Sequence, residues 1–296
     1  MNGLSNAPGS LVKTPAARIQ QVTAAIAALF VPGDRPERFA KAAAAGPDVV
    51  IIDLEDAVAP DAKAEALSAS VRALSGPDSA MNALVRVNPI GAQTHRREIQ
   101  ALLELATSEG HGLLGIMVPK AEDSLVLREL ASHCSDLDLA LVALVESAAG
   151  ISGAQAVAAV PGVTRLAFGA IDYALDIDAR SEDRFLDYAR SILVVASRSA
   201  GIVAPLDTPS TQIKDAEAIR EAARLARGFG FGGKLCIHPA QLGVVAEAFA
   251  PSAEEVAWAE SVVGAAAGAS QIDGQMIDRP VIERARRIVR QARKEK

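Results

Sequence analysis

Eight short apolar runs alternate with longer amphipathic segments along most of this chain. The runs are almost continuously hydrophobic, which is typical of parallel strands buried on both faces. They are Ala28–Val31, Val49–Asp53, Leu84–Val87, Gly115–Val118, Leu139–Val145, Arg165–Phe168, Ile202–Leu206 and Lys234–Ile237. Eight strands separated by helices predict an α/β fold, a modified (β/α)8 barrel of the TIM type. A doubly wound open sheet is the structural alternative.

The segments between the runs have the periodicity of helices. They are Pro36–Ala45, Asp61–Leu74, Thr94–Thr107, Ser124–Cys134, Asp183–Ser199 and Thr211–Arg227. Asp34 and Thr211 are the expected caps of two of them. Two more helical patterns, Ala253–Ala267 and Arg279–Lys294, follow the eighth strand. We therefore expect a barrel with an N-terminal tail over residues 1–250 and a C-terminal helical extension over residues 251–296.

Charge and composition exclude several classes of partner. The net charge of −6 argues against a nucleic-acid partner, which needs a concentrated basic surface. No apolar stretch reaches the roughly 18–20 residues that span a membrane. Two cysteines provide neither a disulfide framework nor zinc-ligand spacing. We expect a cytoplasmic protein without nucleic-acid or membrane partners.

Charged or titratable residues follow nearly every apolar run. In a barrel of this type the carboxyl ends of the strands form the catalytic face. These residues therefore converge on one face and predict an enzyme. They are Asp53, Glu55, Asp56, Arg86, Lys120, Glu146, Asp172, Asp207 and His238.

Two carboxylates from neighbouring strands suggest a metal site. Glu146 directly follows the fifth run, and we expect the sixth strand to run on to Gly169 and Asp172. Without a cysteine or a third histidine nearby, such oxygen ligands suit Mg²⁺, and Mn²⁺ would accept them too. The pair could instead be the acid and base of a glycosidase, although an aromatic content of 3% provides few platforms for a sugar.

Arg86 lies within an otherwise apolar strand, and two interpretations remain open. It could form a buried ion pair with Asp53 or Glu55, or it could bind a substrate carboxylate or a developing enolate oxygen. His238, followed by Pro239, is more typical of a structural hydrogen bond at a turn.

Several motifs together resemble the citrate lyase β-subunit-like proteins of the HpcH/HpaI aldolase/citrate lyase family. The resemblance covers about residues 26 to 292, in order. The matching segments are Leu29–Arg38, Val50–Val58, Val85–Asn88, Val118–Lys120, Val145–Ile151, Phe168–Asp172, Cys236–Gln241 and Gly274–Pro280.

The resemblance implies a magnesium-dependent barrel enzyme. Glu146 and Asp172 would bind the metal, and Arg86 would contact the acyl end of the substrate. Asp278 would be the catalytic aspartate, supplied to the site of a neighbouring subunit in a homotrimer or hexamer. We expect Arg35 and Lys120 to bind the cofactor part of a thioester. Asp53, Glu55 and Asp56 are expected to support the site from behind.

The implied reaction cleaves or forms a carbon–carbon bond in a small carboxylated 3-hydroxyacyl-CoA thioester, such as citramalyl-CoA or malyl-CoA. Its products are a keto acid and an acyl-CoA. Ala24–Ala27 lacks an arginine that relatives usually carry there, which leaves the thioester carrier open. The alternatives are a citrate lyase β subunit acting on citryl-acyl carrier protein, a thioesterase, a free 2-keto-acid aldolase and a non-catalytic relative.

Overall fold

The structure is a computed structural model that describes residues 15–76, 81–179, 183–265, 271–272, 275–276 and 278–294. The chain divides into two compact units. The first ends at Val245 and the second begins at Ala246. None of the helices within the described ranges is both long and apolar enough to cross a membrane.

The first unit contains a closed barrel of eight parallel strands in sequence order. β8 pairs with β1 and so closes the barrel, with Leu235 opposite Ala28. This confirms the predicted fold class and excludes the open sheet. The strands are β1 (Ala27–Pro32), β2 (Val49–Asp53), β3 (Ala83–Arg86), β4 (Leu113–Val118), β5 (Ala140–Val145), β6 (Val163–Phe168), β7 (Val203–Asp207) and β8 (Gly233–Cys236).

Helices cover the barrel and continue into the second unit. They are α1 (Pro15–Ala24), α2 (Phe39–Ala44), α3 (Lys63–Leu74), α4 (His95–Ala106), α5 (Ser124–Asp136), α6 (Ala148–Ala158), α7 (Ala170–Asp176), α8 (Asp183–Ala200), α9 (Ala216–Phe229), α10 (Ala240–Phe249), α11 (Ala253–Ala265) and α12 (Arg279–Lys294).

Two expected helix starts were wrong. Arg35, not Asp34, is the residue before the short 3-10 turn that precedes α2, and no side chain caps that turn. α9 starts five residues after Thr211, where the Asp215 side chain accepts hydrogen bonds from the amides of Glu217 and Ala218. An aspartate can bind two free amides of the first helical turn, which makes Asp215 the stronger cap.

One buried cluster inside the barrel takes side chains from all eight strands, including Ile51, Met117 and Leu144. Val22 and Ala25, at the end of α1, belong to the same cluster and extend it at the amino-terminal end of the barrel. Because these side chains exclude water, they fix the strands whose opposite ends carry the polar residues.

Arg165 on β6 is buried at this amino-terminal end, with 1% of its surface exposed. Its Nη1 donates to the carbonyls of Val22 (3.0 Å) and Ala25 (2.7 Å), and its Nε donates to the carbonyl of Ala204 (2.8 Å). Burial lowers the pKa of Arg165 to about 9, although the nearby charge of Asp48 opposes that shift. The guanidinium thus joins α1 to the strands through backbone oxygens.

The second unit has its own small core. Ala259 and Val262 of α11 pack with Ala285 and Ile288 of α12, and all four are buried. Two short antiparallel strands, β9 (Gln271–Ile272) and β10 (Gln275–Met276), lie between these helices in the chain.

Candidate active site

A cavity of about 490 Å³ lies at the carboxyl ends of the strands, where the sequence predicted the catalytic face. Phe30, Leu144 and Leu235 contribute apolar surface to it. The charged residues of its lining are Asp53, Asp56, Arg86, Glu146 and Asp172. Arg86 is the one cation among these lining residues, so the cavity carries an excess of negative charge that favours a metal cation.

Arg86 is held by acidic groups at the end of β2 and just after it. Its Nε and Nη2 donate to the two carboxylate oxygens of Asp53 at 2.6 and 2.7 Å. Its Nη1 lies 2.9 Å from Glu55 and 3.4 Å from Asp56. The guanidinium also lies over the ring of Phe30, 4.9 Å from its centre. The ion pair considered from the sequence is therefore present, and Arg86 still faces the cavity.

The pKa values of these groups follow from burial and mutual charge. Burial acts to lower the pKa of Arg86, but the hydrogen bonds and charge of Asp53, with the charges of Glu55 and Asp56, raise it overall. Arg86 is therefore a permanent cation. Burial raises the pKa of Glu55 to about 8; Arg86 opposes this shift, and the charge of Glu146 adds to it.

Glu146 follows β5 and is 3% exposed. Its Oε1 accepts a hydrogen bond from the Lys120 amide at 3.0 Å. Burial, followed by the charge of Asp172, raises the pKa of Glu146 to about 7. A cation bound beside Glu146 would favour the ionised form of this carboxyl group.

The Glu146 carboxylate depends on the absence of a side chain at Gly169. A Cβ atom at this position would overlap Oε2 and Cβ of Glu146. The same backbone turn ends β6 and begins α7. The first helical turn of α7 carries Asp172, which we had expected on an extension of the strand. Glu146 and Asp172 both line the cavity, as expected.

Lys120 contributes its backbone in an unusual conformation. Its φ angle is 48°, in the left-handed region that residues with a side chain rarely adopt. This conformation presents the amide to Glu146 while the Lys120 side chain is exposed. Arg35 is also exposed, and its Nε lies 3.9 Å from Asp34. Cofactor binding by Arg35 and Lys120 stays a prediction.

Asp278 belongs to the second unit. Its side chain is exposed and caps α12, because Oδ1 accepts a hydrogen bond from the Val281 amide at 3.2 Å. A cap holds the aspartate in a fixed orientation at a helix start. Its catalytic role stays a prediction. His238 accepts a hydrogen bond from the Ala240 amide through Nδ1 (3.1 Å), as expected of a residue that shapes a turn.

The sequence did not reveal a further set of supports behind the cavity, centred on Glu98. Glu98 on α4 is 1% exposed, and its carboxylate accepts hydrogen bonds from the amide and side chain of Asn88 at 2.7 and 2.6 Å. Asn88 in turn donates to the carbonyl of Leu54 (2.9 Å), and Lys63 donates to the carbonyls of Leu54 and Glu55. These bonds fix the segment that holds Arg86.

The donor set of Glu146 and Asp172 fits a hard divalent cation. Within the described ranges, no group of three or more His, Cys, Asp or Glu side chains is arranged around a common point for a metal. Mg²⁺ commonly takes one or two protein carboxylates and fills its other positions with water and substrate oxygens. Two carboxylates beside a cavity match that pattern, and Gly169 leaves the space for one of them.

Comparison with known proteins agrees with the fold. The family model for HpcH/HpaI aldolase/citrate lyase matches residues 27–239. A citrate lyase subunit beta-like protein of Mycobacterium tuberculosis is 38% identical over 274 residues, 89% of this chain and 94% of that protein. An L-malyl-CoA/beta-methylmalyl-CoA lyase of Cereibacter sphaeroides is 33% identical over 300 residues, 89% of this chain and 93% of that protein.

Among solved structures, CitE of Mycobacterium tuberculosis in complex with magnesium, acetoacetate and coenzyme A has a TM-score of 0.79 and 36% identity. The similarity covers 91% of this chain and 99% of that one. The barrel fold and these relatives together define a barrel enzyme of the lyase class. The chain belongs to the HpcH/HpaI aldolase/citrate lyase family, which confirms the resemblance seen in the sequence.

Proposed function

We propose that this protein is a Mg²⁺-dependent lyase of a small carboxylated 3-hydroxyacyl-CoA thioester, such as citramalyl-CoA or malyl-CoA. Cleavage gives a keto acid and an acyl-CoA. The observation that carries the proposal is the position of Arg86 beside Glu146 and Asp172 in one cavity of about 490 Å³. Relatives named for malyl-CoA cleavage and for complexes with magnesium and coenzyme A support it.

Glu146 and Asp172 would hold Mg²⁺, which when bound polarises substrate oxygens as a Lewis acid. Gly169 leaves room for the Glu146 carboxylate, and the Lys120 amide orients it. These two features hold the Glu146 carboxylate in place before the substrate binds, which lowers the cost of reorganisation during the reaction.

Arg86 would stabilise the negative charge that develops on the thioester oxygen as the carbon–carbon bond breaks. Its Nε and Nη2 are committed to Asp53, so the orientation of the guanidinium is fixed. An arginine has five N–H donors, and the bonds to Asp53 use two of them. Nη1 faces Glu55 and Asp56, so the second N–H of Nη2 is the donor left for a substrate oxygen.

Asp278 of a neighbouring subunit would accept the proton of the substrate's 3-hydroxyl group, directly or through water. The oxygen then forms the keto group, the carbon–carbon bond breaks, and the electron pair passes to the acyl-CoA enolate. Protonation of that enolate completes the acyl-CoA product. This arrangement requires an oligomer, and a homotrimer or hexamer is part of the proposal.

The test is the release of pyruvate, glyoxylate or oxaloacetate from citramalyl-, malyl- and citryl-CoA, with Mg²⁺ or with EDTA. We expect one thioester to be cleaved in Mg²⁺ and none in EDTA. Glu146→Gln should abolish turnover, and Glu129→Gln, at an exposed position on α5, should not. Replacement of Mg²⁺ by Mn²⁺ in the assay shows which of the two metals supports turnover.

Other outcomes of the same assay would contradict the proposal. Release of free CoA without a keto acid would show a thioesterase. Turnover of citryl-acyl carrier protein without turnover of any CoA thioester would show a citrate lyase β subunit. Cleavage of a free keto acid alone would show an aldolase.

A further inference from the structure

A second cavity, of about 610 Å³, lies beside the candidate active site. α7, α8, α9 and the segment after β7 surround it. Ile171, Thr208 and Pro209 line both cavities and form the wall between them. None of the reaction steps proposed above uses this second space. Its volume is in the range of pockets that bind small molecules.

The inner end of this cavity carries more positive than negative charge. Arg190 and Lys234 both line it, and they are 4% and 2% exposed. They share one buried carboxylate, that of Asp207, at 3.4 Å from Arg190 Nε and 2.8 Å from Lys234 Nζ. Asp187 lies 3.7 Å from Arg190 Nη1, but its side chain is 44% exposed, so water weakens that attraction.

One nitrogen of Arg190 also lacks a hydrogen bond. Nη1 is buried and makes no hydrogen bond with any residue that the structure describes. The hydroxyl of Ser210, which also lines the cavity, is in the same state. A buried donor without an acceptor costs about 1–3 kcal/mol, and more when it is charged. An anion in the cavity would satisfy both donors.

Much of the rest of the lining is apolar, and Thr208, Ser210, Thr211 and Gln212 add polar groups from the segment after β7. Ala174, Leu175, Phe185 and Leu186 contribute most of the wall formed by α7 and α8. Leu175 is 79% exposed and Ile171 is 57% exposed, so apolar surface continues to the mouth of the cavity. A ligand that fits would have a charged oxyanion at one end and a hydrocarbon body at the other.

The wall between the two cavities is fixed by hydrogen bonds. Gln241, which is 1% exposed, donates to the carbonyls of Ser210 and Gln212 at 2.8 and 2.9 Å. Thr208 accepts a hydrogen bond from the Ala170 amide at 3.2 Å. These bonds hold the segment after β7 in place, which keeps the second cavity separate from Glu146 and Asp172.

We infer that this second cavity binds an organic monoanion with a short apolar chain, with the oxyanion at Arg190 and Lys234. The site is distinct from the metal-binding cavity, and it requires neither Mg²⁺ nor the proposed lyase reaction. The anion is either the far end of the substrate's own acyl group or a separate small molecule. If Arg190 only forms an ion pair with Asp207, the cavity binds nothing.

Isothermal titration calorimetry of the full chain with hexanoate, in EDTA, tests this inference. We expect saturable binding at one site. Hexanamide, which has the same shape without the charge, should bind at least about tenfold more weakly. Ala222→Phe on α9 should fill the cavity and abolish binding without removing a charge. Ala216→Leu on the same helix, outside the cavity, is the matched control and should bind as the wild type does.

Asp172→Asn tests whether hexanoate binds in the second cavity or in the metal-binding cavity. This variant changes the proposed metal site, and hexanoate should still bind to it with unchanged affinity. The inference is overturned if hexanoate does not bind to the wild type, if Ala222→Phe binds it equally well, or if Asp172→Asn loses the binding. Failure of the lyase assay alone would leave the calorimetric result intact.

Once a substrate is known, inhibition kinetics show whether the bound anion is part of the substrate or a separate molecule. Hexanoate that raises KM alone competes with the acyl end of the substrate, which then reaches this cavity. A change in kcat, or no change in either constant, identifies a separate molecule. Arg190→Met provides a second variant, because Lys234 still pairs with Asp207, and it should weaken hexanoate binding about tenfold or more.

Discussion

The two carboxylate oxygens of Asp53 accept hydrogen bonds from Nε and Nη2 of Arg86 at 2.6 and 2.7 Å, which joins β2 to β3 at the edge of the active-site cavity. Both groups are almost fully buried, so each compensates the charge of the other. Removal of one partner alone leaves a buried charge, which costs about 3–5 kcal/mol.

Arg86→Ala should therefore lower both the free energy of unfolding and the activity. We expect a loss of about 3–5 kcal/mol in stability and of about 10²–10³-fold in kcat. The double variant Arg86→Ala, Asp53→Ala removes the buried charge of Asp53 and should recover part of the stability, since Asp53 also accepts hydrogen bonds from the amides of Glu55 and Ala57. If Arg86 contacts the substrate, the double variant stays inactive. Recovery of activity together with stability would show that Arg86 is only structural.

Gly169→Ala should damage the metal site specifically. The new methyl group would displace the Glu146 carboxylate, so the affinity for Mg²⁺ should fall about 10–100-fold, as for other changes that misplace a ligand. Titration of Mg²⁺ by calorimetry measures the effect. Gly228→Ala, in α9 with open space around it, is the control and should bind Mg²⁺ normally. Unchanged affinity in Gly169→Ala would contradict the assignment of Glu146 as a ligand.

Mixtures of Arg86→Ala and Asp278→Ala subunits should regain activity. If each site takes Arg86 from one subunit and Asp278 from its neighbour, random assembly restores about a quarter of the sites. Activity is measured after the two inactive proteins are unfolded and refolded together. Each variant refolded alone is the control. A mixture that stays inactive, with oligomers of normal size, would place both residues within one subunit or exclude Asp278.

Lys120→Ala should distinguish the role of the Lys120 side chain from that of its backbone amide. The hydrogen bond from the backbone amide of residue 120 to Glu146 remains, so the affinity for Mg²⁺ should not change. If the ammonium group binds the thioester's cofactor, KM should rise about tenfold or more, since a hydrogen bond to a charged group contributes about 1.5–3 kcal/mol. Lys41→Ala on α2 is the control. An unchanged KM would remove Lys120 from the cofactor site.

His111 should make the protein less stable in acid. Burial, with a smaller contribution from the charge of Arg18, lowers the pKa of His111 to about 4. The unfolded chain binds this proton near pH 6.5, so between these values the unfolded state carries more protons. The free energy of unfolding should therefore fall as the pH drops from 6.5 towards 4.

Urea titrations at pH 7.5 and pH 5 measure this dependence. His111→Asn cannot titrate and should show a smaller difference between the two conditions. His133→Asn, at an exposed position on α5, should behave like the wild type. An equal difference in His111→Asn and the wild type would show that other groups cause the acid sensitivity.

The order and type of the strands could be predicted from the sequence because buried parallel strands are continuously apolar. Glu146 and Arg86 could also be found, because a charge that ends or interrupts such a run needs a partner or a function. Asp172 was assigned to a strand because no local pattern announces that Gly169 ends β6 and starts α7. The need for a glycine there comes from the Glu146 side chain, which packs against Gly169 but is distant from it in the chain.

Residues that work through tertiary contacts were missed. Glu98 has the pattern of a helix surface, and only the approach of Asn88 explains its burial. Lys234 and Arg190 belong to an apolar run and an amphipathic helix, so the sequence gives no sign that both approach Asp207. Propensity and periodicity describe one helix or strand at a time, whereas the partners of these side chains lie on a different element.

The carbonyls that hold Arg165 have a consequence for the limits of the folding unit. The family model begins at residue 27, but Val22 and Ala25, which precede that point, accept hydrogen bonds from a guanidinium that is almost fully buried. A shortened chain starting at residue 27 would keep every strand of the barrel. It would lose the carbonyls of Val22 and Ala25, which are two of the three that accept hydrogen bonds from Arg165. The end of α1 therefore belongs to the same packed unit as the barrel, although it lies outside the part that the family model matches.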